Sequence, residues 1–140
     1  MKRILRPVLL FLIMGFSSLT LDGQDTINEI TFLGPEEFNE NYQDQQGALL
    51  LDARMANVYR KYRIEGAINV ESKEVLKALS DTLDKSTPIY LHCYNKGRAT
   101  SSAEYLQEEG FTDLHVMEGG MNAWKDLKMP LDKKKLKKKF

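Results

Sequence analysis

The sequence predicts an α/β domain: a mostly parallel central sheet with helices on both faces. Three observations point there. Short apolar runs alternate with segments of helical periodicity along the chain, the pattern of successive βαβ units. Ala48–Asp52 (ALLLD) is a continuous apolar run rather than an alternating one, as a strand buried on both faces requires. The 140 residues, 42% apolar and 29% charged, suit one packed domain of ordinary size.

Each element has its own reason. Ile30–Leu33 reads as a short strand, and Gly34-Pro35-Glu36-Glu37 opens a helix with proline and acids in its first turn. After Ala48–Asp52, Met55–Tyr62 is predicted as a short helix and Ala67–Val70 as a strand following the Gly66 turn. Ser72–Leu83 places Val75, Leu76, Leu79 and Leu83 on one helical face. Pro88–His92 is a strand, and Arg98–Glu109 is a helix stopped by Gly110. Leu114–Met117 is the last strand, Gly119-Gly120 a tight turn, and Met121–Leu127 the closing helix, with Met121 and Trp124 assigned to the core.

The ends differ from the body. Residues 1–23 read as a secretory signal: a basic start, an apolar core over Val8–Phe16, then small and polar residues, with processing near Thr20 or Gly23. The expected location is periplasmic or secreted, the alternative being a membrane anchor formed by residues 8–16, although that run is shorter than the ~20 residues of a bilayer span. Residues 28–131 form the domain. Residues 132–140, with six lysines, read as a disordered basic tail with weak membrane-surface contact as the alternative. Between Gln24 and Asp132 stand 19 acidic and 11 basic residues. Such a surplus disfavours nucleic acid as a partner, because neutralising phosphates needs a positive face. Monomer or weak dimer is the expected state.

The chemistry-bearing stretch is LHCYNKGRATS, residues 91–101, with the chain's only cysteine. Cys93 falls at the carboxyl end of a strand just before a helix, where ligands of parallel α/β sheets bind. Loop and helix N–H groups directed there favour an anion: a thiolate, a persulfide or an oxyanionic substrate. Lys96 and Arg98 are expected to curl around the sulfur, and neighbouring positive charge favours thiolate. Gly97 is expected to permit a turn whose amides converge as an anion-binding nest. The plainer reading makes Cys93 a small buried core residue. An unpaired thiol in an exported chain also stands out as potentially reactive. His92 and His115 are too isolated for a metal site, so no metal or other cofactor is expected.

Three segments resemble the rhodanese family of single-domain sulfurtransferases: LLLDARMANVYRKYRIEGAINV (49–70), LHCYNKGRATSSAEYLQEEGF (91–111) and MEGGMNAWKDLKMPL (117–131). The resemblance covers residues 28–131 and implies the rhodanese-like three-layer domain. It also implies double displacement: Cys93 takes the outer sulfur of a donor such as thiosulfate, and a thiol or cyanide acceptor removes it from the resulting persulfide. The loop from Tyr94 through Asn95, Lys96 and Gly97 to Arg98 would then bind substrate, and Asp52 and Arg54 would be structural near the site.

Four residues separate Cys93 from Arg98, whereas phosphatases related by fold use five, so the shorter loop favours sulfur over a tetrahedral oxyanion. Two positions depart from the family pattern. Arg63 stands where histidine is common, and Lys96 where a glycine is usual, which leaves the donor open. The competing readings are a non-catalytic binding or redox-sensing module and, further off, a phosphatase or arsenate reductase.

Overall fold

The computed structural model describes residues 28–136; the signal segment and the last lysines lie outside the described residues. Five strands and five helices alternate: β1 Thr31–Leu33, α1 Pro35–Asp44, β2 Leu49–Asp52, α2 Ala56–Tyr59, β3 Ile68–Asn69, α3 Lys73–Ser80, β4 Ile89–His92, α4 Gly97–Glu108, β5 Leu114–Met117 and α5 Gly120–Asp126. The sheet order is β1-β5-β4-β2-β3 with every pairing parallel. The carboxyl ends of all five strands therefore share one rim.

Side-chain alternation along the strands divides the core into two layers. Leu50, Tyr90 and Met117 pack with Phe38 of α1 and Met121 and Trp124 of α5 on one face. Leu51, Leu91 and Val116 pack with Leu76 of α3 and Ala99, Ala103 and Leu106 of α4 on the other. β2 and β4 lie inside the sheet, which is why both lack polar alternation. The three-layer expectation holds.

Several local expectations change. α2 is one turn, four residues, because the Tyr62 carbonyl turns to accept from Arg54 and the Arg63 N–H pairs with Asp132. β3 is two residues long, an edge strand matched only to the end of β2. In α3, Ser72 caps Val75 N–H at 3.3 Å, while Val75 itself is 43% exposed; the buried stripe is Leu76 with Leu79 and Leu83. The segment assigned to a disordered tail starts differently: Arg63 and Asp132 exchange backbone hydrogen bonds of 3.0 and 2.8 Å, and Arg63 Nη2 lies 2.6 Å from Asp132 Oδ2. Residues 132–134 are thereby bound to the domain.

Candidate active site

β4 is buried along its whole length and ends by handing Cys93 to the rim. The register places Asp52 opposite His92, and Ala53 N–H donates to the His92 carbonyl at 2.9 Å. Cys93 is 2% exposed and belongs to the α3/α4 layer of the core. It combines both sequence readings, a packed residue at the carboxyl end of a central strand.

The loop after Cys93 is held from behind by α5. Met121 N–H donates to the Cys93 carbonyl at 2.8 Å, and Asn122 N–H to the Tyr94 carbonyl at 2.9 Å. Only glycine fits at position 120. A Cβ there would lie 2.1 Å from the Asn95 carbonyl oxygen and 2.6 Å from that of Cys93, and its φ is +54°. Gly97 carries no such constraint: it is the first residue of α4, and a Cβ would meet only Asn95 Oδ1 at 3.9 Å. The glycine that shapes the loop is thus in the Gly119-Gly120 pair, a role the sequence reading missed. Its signal was the adjacent glycines before Met121.

Two loop amides converge, and the Asn95 side chain stands where they meet. Asn95 Oδ1 accepts from Lys96 N–H at 2.7 Å and Gly97 N–H at 3.2 Å, and lies 3.9 Å from Cys93 Sγ. The two cations point elsewhere, contrary to expectation. Lys96 Nζ is 3.6 Å from Glu118 Oε1 and stands over the Phe32 ring, towards β5 and β1. Arg98 Nη2 donates to the Glu71 carbonyl across the rim. The group that meets the sulfur is Asn95 Oδ1, held by two backbone N–H groups and not by these side chains.

Asp52 and Arg54 form a fully buried pair. Arg54 Nη2 lies 2.7 Å from Asp52 Oδ2, Nε lies 3.0 Å from both carboxylate oxygens, and Nη2 also donates to the Tyr62 carbonyl at 2.8 Å. Asn69 Nδ2 bonds the carbonyls of both residues, at 2.9 and 2.7 Å. The sequence reading did not single out Asn69, because only the pairing of β3 with β2 brings it to these carbonyls. Beside the pair, His92 is fully buried, with no hydrogen-bond partner on either ring nitrogen among the described residues. Burial pushes its pKa down to about 4, Asp52 opposes the shift, and Arg54 reinforces it. The ring is therefore neutral, and its 3.8 Å approach to Asp52 Oδ2 is not an ion pair.

A cleft of about 680 Å³ opens from the loop along the α3–α4 groove, walled by Asn95, Gly97 and Arg98 at one end and Ser72, Ser101 and Tyr105 further out. The thiol lies one contact behind its Asn95 wall. A second cleft of about 690 Å³, at Ile64, Trp124 and Asp132, contains no loop residue. Among the described residues no cluster of three or more His, Cys, Asp or Glu stands ready for a metal.

Residues 34–127 match the family model described as "Rhodanese-like domain". The thiosulfate sulfurtransferase GlpE of Glaesserella parasuis serovar 5 is 28% identical over 109 residues, covering 78% of this chain and 96% of that protein. GlpE of Pseudomonas fluorescens is 30% identical over 81 residues, covering 58% and 73%. Among solved structures, a rhodanese-related protein from Thermoplasma volcanium superposes with a TM-score of 0.63 at 20% identity, over 74% of this chain and 99% of that one. The 30 kDa polysulfide-sulfur transferase homodimer from Wolinella succinogenes gives 0.61 at 21%, over 74% and 78%. At such identities these two likenesses are of fold.

Proposed function

The chain belongs to the rhodanese-like domain family, and on that premise we propose that it is an exported sulfurtransferase carrying sulfane sulfur on Cys93. One observation supports the reading above the others: a cysteine at the end of the central strand β4, its sulfur within 3.9 Å of an acceptor held by two loop N–H groups. An anion attached to that sulfur meets those two N–H groups once it takes the place of Asn95 Oδ1. The relatives named thiosulfate sulfurtransferase supply the donor class.

In the first step the Cys93 thiolate attacks the outer sulfur of thiosulfate. The new S–S bond forms as the old one breaks, and the bonding pair leaves with sulfite. Covalent catalysis of this kind divides one difficult transfer into two easier ones. The N–H groups of Lys96 and Gly97 hydrogen-bond the transferred sulfur or the departing oxyanion, an arrangement that stabilises charge as it develops. In the second step an acceptor thiolate takes the outer sulfur, and the electron pair returns to Cys93. Arg98, at the mouth of the cleft, attracts anionic donors. Asp52 and Arg54 fix the neighbouring strand end without touching substrate.

Export rests on the basic, apolar and small-residue order of residues 1–23. Turnover is tested by sulfite release from thiosulfate with a thiol acceptor. Cys93→Ser is expected to abolish it, and Arg98→Ala to raise KM for thiosulfate several-fold more than it lowers kcat. Undiminished sulfite release by Cys93→Ser contradicts the proposal.

A further inference from the structure

We propose that the Asn95 side chain is a placeholder in the loop's anion pocket, which an anionic sulfur donor must displace and which shields Cys93 from neutral reagents. The proposal rests on the reading of Cys93 as the sulfur carrier and assigns to Asn95 a selective role at that site.

The geometry carries it in three parts. Asn95 Oδ1 accepts from the Lys96 and Gly97 N–H groups at 2.7 and 3.2 Å, taking the two donors that the proposed transfer needs for its anion. The same oxygen stands 3.9 Å from Sγ, a distance at which a thiol hydrogen donates to it weakly. Finally, Lys96 and Arg98 are engaged with Glu118 and the Glu71 carbonyl, which leaves the two backbone N–H groups as the donors at this oxygen.

Exchange of Asn95 for a ligand is selective by charge. A neutral ligand replaces one neutral hydrogen-bond acceptor with another and loses freedom in binding, whereas Asn95 is already tethered to the site. An anion gains charge-assisted bonds roughly twice as strong as neutral ones. Asn95 has somewhere to go: the residue is exposed and forms part of the cleft wall. Nor does Gly97 obstruct it, since even an added Cβ there would stand 3.9 Å from Oδ1. Asn95 is on this account a positioning residue acting on access to the sulfur, with no bond to the transferred atom.

The test uses the full chain, reduced, with neutral iodoacetamide as the probe of Cys93 at pH 7. Asn95→Ala is expected to alkylate several-fold faster than wild type, and Asn95→Asp, which puts a carboxylate on the same amides, several-fold slower. Thiosulfate KM is expected to fall in Asn95→Ala and rise in Asn95→Asp. Asn95→Ala removes the acceptor of two loop N–H groups, so thermal unfolding of each variant is recorded alongside; Asn95→Asp retains an acceptor there and carries the test if Asn95→Ala is unstable. Alkylation of Asn95→Ala at or below the wild-type rate, or of Asn95→Asp at or above it, overturns the proposal. Persulfide formation fails separately: the expected alkylation order without any sulfur on Cys93 would contradict the sulfur-carrier reading and support the placeholder.

Discussion

His92 shows how much a single residue owes to register. In the sequence it is a strand end next to the cysteine; in the fold it is sealed opposite Asp52 with neither nitrogen bonded. Its pKa, ordinarily 6.5, is pushed down to about 4 by burial. Below pH 6.5 the unfolded chain takes up a proton that the native protein refuses, so the unfolded state binds more protons and stability falls with acid. The contribution is fully present above pH 6.5 and is lost progressively towards pH 4, on the order of 3 kcal/mol over the window. Asp132, whose carboxyl is lowered by the Lys134 N–H and then by Arg63, acts below that window. Urea midpoints measured from pH 7 to pH 4.5 are expected to drop in the wild type and to flatten in His92→Phe. A parallel decline in both would contradict the assignment. Cys93 itself was legible because its strand, loop and helix are contiguous. The neighbours of His92 were not, since strand pairing brings them from 40 residues away.

At the scale of elements, the strand-and-helix order was readable almost throughout, because continuous apolar runs and helical spacing are local properties. The short elements were misjudged for non-local reasons. α2 ends where Arg54 and Asp132 claim its following backbone groups, and β3 is limited by the strand it matches. The two loop-facing glycines separate local from tertiary reasoning most clearly. Gly97 looks like the turn residue, yet it begins α4 without steric constraint. Gly120 belongs to a different element and is pressed against the Cys93–Asn95 backbone. Gly120→Ala is expected to destabilise by about 3 kcal/mol or more through overlap and a strained φ. Gly97→Ala should stay within about 0.5 kcal/mol of wild type. Chemical denaturation of the two variants decides it, and equal losses would mean that the contact between α5 and the loop has been misassigned.

For the whole molecule, the parallel three-layer architecture followed from periodicity alone, whereas the closure of the chain upon itself did not. Arg63 reaches 69 positions along the sequence to Asp132 and also bonds the Lys134 carbonyl. Charge composition suggested a free tail from residue 132, because lysine runs repel one another; a nearly buried arginine with a carboxylate partner outweighs that tendency at the start of the run. Arg63→His is expected to speed amide hydrogen exchange at Asp132 and Lys134 at least ~tenfold while leaving β4 protected. Unchanged exchange at those amides would show that the backbone pairing alone holds the segment. Other ties act at the rim, where the Asp52–Arg54 pair and the amides of α5 hold the end of β2 and the loop beside the buried Cys93 sulfur. The most direct measurement of that sulfur's role is intact mass after incubation with thiosulfate and removal of excess donor. A gain of ~32 Da, one sulfur atom on a nucleophilic thiol, reversed by dithiothreitol and absent from Cys93→Ser, is the predicted result; no gain in the wild type, or the same gain in Cys93→Ser, would contradict it.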